Sequence, residues 1–232
     1  MKLFKKAILF VHGFAGGVYD AEYLDHRLEL IYNFDVYAFT LPAHDGEPIK
    51  KITYKDWIEK AESEVEFLLN NDYKTIYVVG HSMGGVIASY LASKYKEVKK
   101  LVLLAPAFSY LGYDDGKLNK IESIKKVPKL VEQYGIKRLT ARMTKLPLNA
   151  ANEFMKLVDE FRFCIKDVTV PTLIFQGKDD NVVPPNTPEF ILKNIKSEDK
   201  KVIYLDGITH DILRENKKEE VTEEIIKFLK KW

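Results

Sequence analysis

The feature that most restricts the fold of this chain is a glycine-rich turn between two segments of different periodicity. Residues 75–79 are apolar and β-branched, which predicts a strand, and residues 84–95 have the spacing of a helix. Between them lies Gly-His-Ser-Met-Gly-Gly at residues 80–85. The turn must be sharp, and Gly80 and Gly84 leave room for it because they have no side chains. We therefore expect Ser82 to adopt strained backbone geometry, with its hydroxyl above the strand end.

Apolar and amphipathic segments alternate along most of the chain. Strands are predicted at residues 7–11, 35–40, 75–79, 100–104, 172–176 and 201–205, and helices at 19–32, 54–69, 84–95, 187–194 and 217–231. Such alternation indicates an α/β fold, in which helices on both faces of a sheet join parallel strands. Residues 108–165 break the pattern into short helical pieces without a clear strand. We interpret them as an insertion within a single domain, residues 1–232.

Composition and charge limit the classes of function. The net charge is only +2, with basic and acidic residues interspersed, so nothing predicts a nucleic-acid partner. No segment approaches the ~18 apolar residues of a membrane-spanning helix, so no stable membrane insertion is expected. The single cysteine, Cys164, excludes an intrachain disulfide and fits a cytoplasmic protein. We predict no metal and no cofactor.

A serine hydroxyl becomes an effective nucleophile only when a base accepts its proton and an acid orients that base. We predict His210 as the base, because it follows the last predicted strand and its loop would lie beside the end of the serine strand. The loop after the preceding strand offers two acids, Asp179 and Asp180, and position alone does not separate them. The backbone N–H groups of Phe14 and Met83 are predicted to bind the oxyanion.

The other four histidines have different expected roles. His12 ends the first predicted strand beside a glycine, which suggests a role other than that of the base. His26 falls within a predicted helix and is expected at the surface, whereas His44 is in a loop, either at the mouth of the site or as an ordinary loop residue. His81 is adjacent to Ser82, so its side chain is expected to point away, into local packing.

Together these segments resemble the α/β-hydrolase fold superfamily. His-Gly-Phe at residues 12–14, the serine turn, Gly-x-x-Asp-x-x-Val-Pro at 177–184 and Gly-x-x-His at 207–210 follow the order typical of that superfamily. The resemblance implies that Asp180, rather than Asp179, is the acid. It also implies that residues 108–165 form a small helical cap inserted after the fourth strand. Because the sequence starts at the first central strand, we expect a mainly parallel sheet of about six strands.

Within the superfamily the chain is most similar to small bacterial carboxylesterases and monoacylglycerol lipases, and to the related cinnamoyl and feruloyl esterases. The resemblance implies hydrolysis of a small-molecule carboxylic ester through an acyl-enzyme on Ser82. Two alternatives stay open. One is another reaction on the same scaffold, such as C–C bond hydrolysis, and the other is a non-catalytic ligand-binding role. No oligomeric state is predicted.

The expected cap is rich in apolar and aromatic side chains, which either wall an acyl or aryl pocket or pack the cap onto the domain. A pocket of this kind would accept a short-chain or medium-chain ester, a monoacylglycerol or an aromatic ester. The residues are Phe108, Tyr110, Leu111, Tyr113, Ile121, Ile124, Leu130, Tyr134, Leu139, Met143, Leu146, Phe154, Met155 and Leu157.

Overall fold

A parallel β-sheet forms the centre of the molecule. The computed structural model describes residues 6–32, 34–46, 49–114 and 116–231. Its strands are β1 (Lys6–Val11), β2 (Asp35–Ala38), β3 (Thr75–His81), β4 (Val98–Leu104), β5 (Tyr113–Asp114), β6 (Lys117–Leu118), β7 (Thr172–Gly177) and β8 (Lys200–Leu205). Within the described residues, six of them form one sheet in the order β2-β1-β3-β4-β7-β8, with every neighbouring pair parallel. This confirms the predicted fold class and the predicted size of the sheet.

Helices cover both faces of this sheet. They are α1 (Glu22–Tyr32), α2 (Tyr54–Asn70), α3 (Met83–Lys94), α4 (Lys120–Tyr134), α5 (Ile136–Met143), α6 (Ala150–Phe161), α7 (Thr187–Asn194) and α8 (Lys218–Lys230). Successive strand residues point to opposite faces, so Ile8 packs in the core beneath α1 and α8, and Leu9 in the core beneath α2 and α3. Both faces are thus buried, which explains why the strands are continuously apolar. No helix in the described part of the chain is long and apolar enough to cross a membrane.

The segment 108–165, which we call the inserted segment, lies between β4 and β7. It contains α4, α5 and α6, together with a hairpin of β5 and β6 that was not predicted. Two-residue strands are too short to show an alternating pattern, so no sequence signal predicted this hairpin. Helix α6 packs against α2 and α3 and buries Phe154, Leu157 and Val158. It is therefore the part of the inserted segment that joins the main core.

The apolar residues of the inserted segment differ widely in exposure. Those that are buried are Phe108, Tyr110, Tyr113, Leu146, Phe154 and Leu157, and those that are partly buried are Leu111, Leu130, Tyr134, Leu139 and Met155. The Met143 side chain lies outside the described residues. Ile121 and Ile124 on α4 are 67% and 69% exposed, so these two side chains do not pack the inserted segment onto the domain.

Candidate active site

Ser82 occupies the sharp turn between β3 and α3. Its backbone has φ 55° and ψ −120°, a conformation that a residue with a side chain seldom adopts. Hydrogen bonds hold it there: its N–H donates to Leu104 O (2.9 Å), and its carbonyl accepts from Gly85 N (2.9 Å) and Ala107 N (3.0 Å). The side chain is 5% exposed. The serine is therefore fixed at the carboxyl end of the sheet by backbone contacts on both sides.

Three glycines allow the neighbouring backbone to approach this turn. A Cβ at Gly80 would lie 2.3 Å from Gly84 O, and a Cβ at Gly84 would lie 2.1 Å from Val11 O. A Cβ at Gly13 would lie 2.9 Å from the Cβ of Ser82. A larger residue at Gly84 or Gly13 would push the turn away from β1 and the loop that follows it, and one at Gly80 would push α3 away from β3. The loop that follows β1 thus lies directly against Ser82, as the sequence predicted.

Asp180 and His210 meet in the loops that follow β7 and β8. Nδ1 of His210 lies 2.9 Å from Oδ2 of Asp180, and both side chains are buried. Oδ2 also accepts from Gln176 Nε2 (3.1 Å), and Oδ1 accepts from the N–H groups of Val182 (2.8 Å) and Val183 (2.9 Å). These contacts fix the carboxylate in one orientation. Asp179, the alternative acid, is exposed, and its N–H donates to Ile208 O (3.1 Å).

His81 joins the serine turn to the loop that carries His210. Nε2 of His81 donates to the carbonyl of His210 (3.0 Å), and the two imidazole rings are 4.9 Å apart. A Cβ at Gly177 would lie 2.3 Å from Ile208 O, so this glycine lets β7 approach the same loop. His81 is buried, and both burial and the neighbouring His210 lower its pKa. The neighbour of Ser82 is therefore in direct contact with the backbone of His210.

His12 is a structural residue of the loop that follows β1. Its Nε2 accepts from Leu41 N (2.9 Å), so Nδ1 carries the proton and donates to Gly13 O (2.8 Å). Complete burial, with a smaller contribution from His44, lowers the pKa of His12 to about 3. The ring stays neutral and joins the β1 loop to the loop after β2. This is a different role from that of the base, as the sequence suggested.

The two predicted oxyanion donors belong to residues next to Ser82 and next to its contact Gly13. Met83 is the first residue of α3, so its N–H has no carbonyl acceptor within the helix and lies at the positive end of the helix dipole. Phe14 follows Gly13, the residue in contact with Ser82, and its ring stacks on Phe154 of α6 at 5.2 Å. His44 is buried beside Phe14, with ring centroids 6.0 Å apart, and burial lowers its pKa.

No role was predicted from the sequence for one polar residue of the site, Gln176, and His26 was predicted to lie at the surface. Gln176 is a fully buried amide in β7 whose contact with Asp180 had no predicted role, although a polar residue within an apolar strand was a usable signal. His26 is exposed on α1, as expected. Among the residues that the structure describes, no cluster of three or more His, Cys, Asp or Glu could hold a metal ion.

A family model described as serine aminopeptidase, S33, matches residues 4–217. The match includes the serine turn and the loops that carry Asp180 and His210. It covers most of the chain, so it concerns the domain as a whole rather than the serine turn alone.

Individual proteins resemble the chain over nearly its full length. It is 26% identical over 215 residues to a thermostable monoacylglycerol lipase of Bacillus sp. strain H-257, covering 88% of this chain and 82% of that protein. It is 23% identical over 235 aligned residues to a carboxylesterase of Bacillus subtilis strain 168, covering 97% and 93%. A structure from work on LipS and LipT, two metagenome-derived lipolytic enzymes, has a TM-score of 0.78 at 20% identity, covering 99% of this chain and 95% of that one. This last likeness shows the α/β-hydrolase fold.

Proposed function

Since the chain belongs to the family of α/β-hydrolases described as serine aminopeptidase, S33, we propose that it cleaves carboxylic esters through an acyl-enzyme on Ser82. His210 is the base and Asp180 the acid in this mechanism. The observation that carries the proposal is the buried contact of 2.9 Å between His210 Nδ1 and a carboxylate held by three further donors. Such a carboxylate fixes both the tautomer and the orientation of the imidazole.

The catalytic cycle follows from this arrangement. Nδ1–H of His210 donates to Asp180, so Nε2 is the nitrogen that accepts the Ser82 proton as the hydroxyl attacks the ester carbonyl. The imidazolium then gives this proton to the departing alcohol. A water activated by His210 attacks the acyl-enzyme, and collapse of the second tetrahedral intermediate releases the carboxylic acid and restores Ser82. In each step one proton passes through Nε2 of His210, between the Ser82 hydroxyl and the oxygen of the alcohol or of the water.

The oxyanion that forms in both steps is proposed to accept from the N–H groups of Phe14 and Met83. The contact between Gly13 and Ser82 supports this, because it brings the β1 loop beside the N-terminus of α3. The His12 contacts support it as well, because they hold Gly13 O and Leu41 N in a fixed relation. Removal of one such donor typically costs about 3 kcal/mol of transition-state stabilisation.

The inserted segment is proposed to act as the cap that selects the substrate. The ring of Phe154 stacks between those of Phe14 and Tyr110, with centroid distances of 5.2 and 4.2 Å. An aromatic wall therefore joins the loop that follows β1 to the inserted segment. An apolar wall beside the nucleophile favours an ester with an apolar acyl or aryl group. The names of the two Bacillus relatives support a carboxylesterase or monoacylglycerol lipase activity. Feruloyl or cinnamoyl esters and C–C bond hydrolysis are the competing assignments.

Two measurements test the nucleophile. Ser82→Ala should abolish turnover of p-nitrophenyl esters and labelling by a fluorophosphonate probe, while the circular dichroism spectrum stays that of the wild type. Ser93→Ala is the matched control, because Ser93 lies on the same helix and its hydroxyl donates to Tyr90 O. This control should label and turn over at the wild-type rate. Full turnover by the Ser82→Ala protein would contradict the assignment, and folded wild-type protein that does not label would favour a ligand-binding role.

A substrate series tests the reaction class. The series contains p-nitrophenyl esters of increasing acyl length, a monoacylglycerol, a feruloyl ester, a ring-cleavage diketone and an amino-acid p-nitroanilide. We expect the highest kcat/KM on an ester. A higher value on the diketone would indicate C–C bond hydrolysis, and a higher value on the anilide would indicate the peptidase activity after which the family is described.

A further inference from the structure

One side chain of the inserted segment contacts both loops that carry the acid and the base. Gln133 lies in the last turn of α4, far from these loops in sequence. Its Oε1 accepts from Asn181 Nδ2 at 3.3 Å, and its Nε2 donates to the hydroxyl of Thr209. Asn181 follows Asp180 directly, and Thr209 directly precedes His210. Gln133 therefore bridges the two neighbours of the Asp180–His210 pair.

The hydrogen bonds of this bridge form a chain with one consistent direction. Asn181 donates to Gln133, Gln133 donates to Thr209, and the Thr209 hydroxyl donates to the carboxylate of Glu215. The N–H of Thr209 also donates to both oxygens of Glu215, at 3.1 and 3.0 Å. In each of these bonds an N–H or O–H group donates and an oxygen accepts, as the chemistry of amides, hydroxyls and carboxylates requires. A connected chain of this kind holds its members more firmly than separate contacts do.

Residue 209 is thereby held from two sides. Glu215 holds it from the C-terminal part of the chain, and Gln133 holds it from the inserted segment. Helix α4 is itself attached to the loop after β4, since Ser123 Oγ donates to Leu111 O and Asn119 N donates to Gly112 O (2.8 Å). A displacement of α4 would therefore change the separation of the acid loop and the base loop.

We propose that Gln133 is a positioning residue that holds the Asp180 and His210 loops together and makes their alignment depend on the position of α4. This inference rests on the proposed function of Ser82, Asp180 and His210. Gln133 acts through Asn181 and Thr209 and does not contact the reacting atoms. Because a misplacement of about 1 Å can cost up to roughly a hundredfold in rate, a modest loosening of these loops should be measurable.

The test uses Gln133→Ala, Thr209→Val and the double variant, with Glu132→Ala as the matched control. Glu132 is the exposed neighbour of Gln133 on the same helix. The readouts are kcat and KM for p-nitrophenyl acetate, the rate constant of fluorophosphonate labelling and the melting temperature. We expect kcat and the labelling rate to fall roughly tenfold in Gln133→Ala and in Thr209→Val, with KM and melting temperature within error of the control. The double variant should lose less than the product of the two single losses, because the two substitutions share the link between Gln133 and Thr209.

A merely structural role predicts different results. If Gln133 only attaches α4, melting temperature or KM will change while the labelling rate stays within twofold of Glu132→Ala, and the inference is then wrong. Losses that multiply fully in the double variant would also overturn it, because Gln133 and Thr209 would then act independently. The proposed function fails separately, since its failure shows as wild-type protein that neither labels at Ser82 nor turns over.

Discussion

Asp179 and Asp180 are neighbours with the same carboxyl group and very different surroundings. Asp180 is buried and accepts from two backbone N–H groups, an amide and His210, whereas Asp179 is exposed. The backbone donors fix the orientation of the Asp180 carboxylate, and the carboxylate in turn orients the imidazole of His210. The role proposed for Asp180 thus depends on contacts that its neighbour in sequence does not share.

Asp180→Asn should lower kcat/KM for a p-nitrophenyl ester by roughly 10³ to 10⁴, with little change in the melting temperature. The amide can turn its NH₂ group toward His210 Nδ1, which favours the tautomer with the proton on the nitrogen that should face Ser82. Asp179→Asn is the matched control and should retain nearly the wild-type value. Equal losses in the two variants would contradict the assignment of the acid.

At the scale of elements, α6 is attached to the start of α2 by polar contacts as well as by apolar packing. The Asn149 side chain donates to Ile52 O (2.6 Å) and accepts from Ile52 N (3.3 Å). Glu153 is buried and accepts from Tyr54 N (3.2 Å), and its hydrogen bond with Lys156 lowers its pKa. A carboxylate suits the N-terminus of a helix, where N–H groups lack partners within the helix. These contacts fix the helix that carries Phe154.

Asn149→Ala should lower the free energy of unfolding by about 1–2 kcal/mol, because both polar groups of Ile52 lose a partner in a partly buried place. Urea denaturation measures this change. Asn152→Ala, an exposed asparagine on α6, is the matched control and should change stability by less than about 0.5 kcal/mol. A loss in Asn149→Ala no larger than that of the control would show that apolar packing alone holds α6.

At the scale of the whole molecule, the buried neutral histidines link stability to pH. Burial lowers the pKa of His12 to about 3 from its ordinary value of 6.5. Below pH 6.5 the unfolded chain therefore binds a proton at His12, whereas the folded protein binds it only near pH 3. The free energy of unfolding should therefore fall as the pH decreases across this window. Burial lowers the pKa values of His44 and His81 as well, which adds to the effect in the same direction.

His12→Gln should reduce the slope of unfolding free energy against pH between pH 4 and pH 6. One proton contributes at most about 1.4 kcal/mol per pH unit, and glutamine keeps an acceptor for Leu41 N without titrating. Urea titrations at several pH values measure the slope. His26→Gln, which replaces an exposed histidine, is the matched control. Equal slopes for His12→Gln and the wild type would show that burial does not hold His12 neutral.

Much of the fold could be predicted from the sequence because it depends on local patterns. Continuous apolar runs predicted the strands of a sheet that is buried on both faces, and the glycines around Ser82 predicted the turn between β3 and α3. The hairpin of β5 and β6 could not be predicted, since its strands are too short to carry a period. The exposure of Ile121 and Ile124 was also not predictable, because an apolar residue at helical spacing does not show which side the helix turns to the domain.

The order of the elements, the strained turn at Ser82 and the loops that carry the proposed acid and base could all be predicted from the amino-acid sequence. Which polar groups meet depends on how the whole domain folds. The contacts of His81 with His210, Gln176 with Asp180, and Gln133 with Asn181 and Thr209 join segments whose relation depends on the packing of whole helices and strands. A hydrogen bond forms only within about 3 Å, and no local pattern of residues fixes a distance of that size between remote parts of a chain.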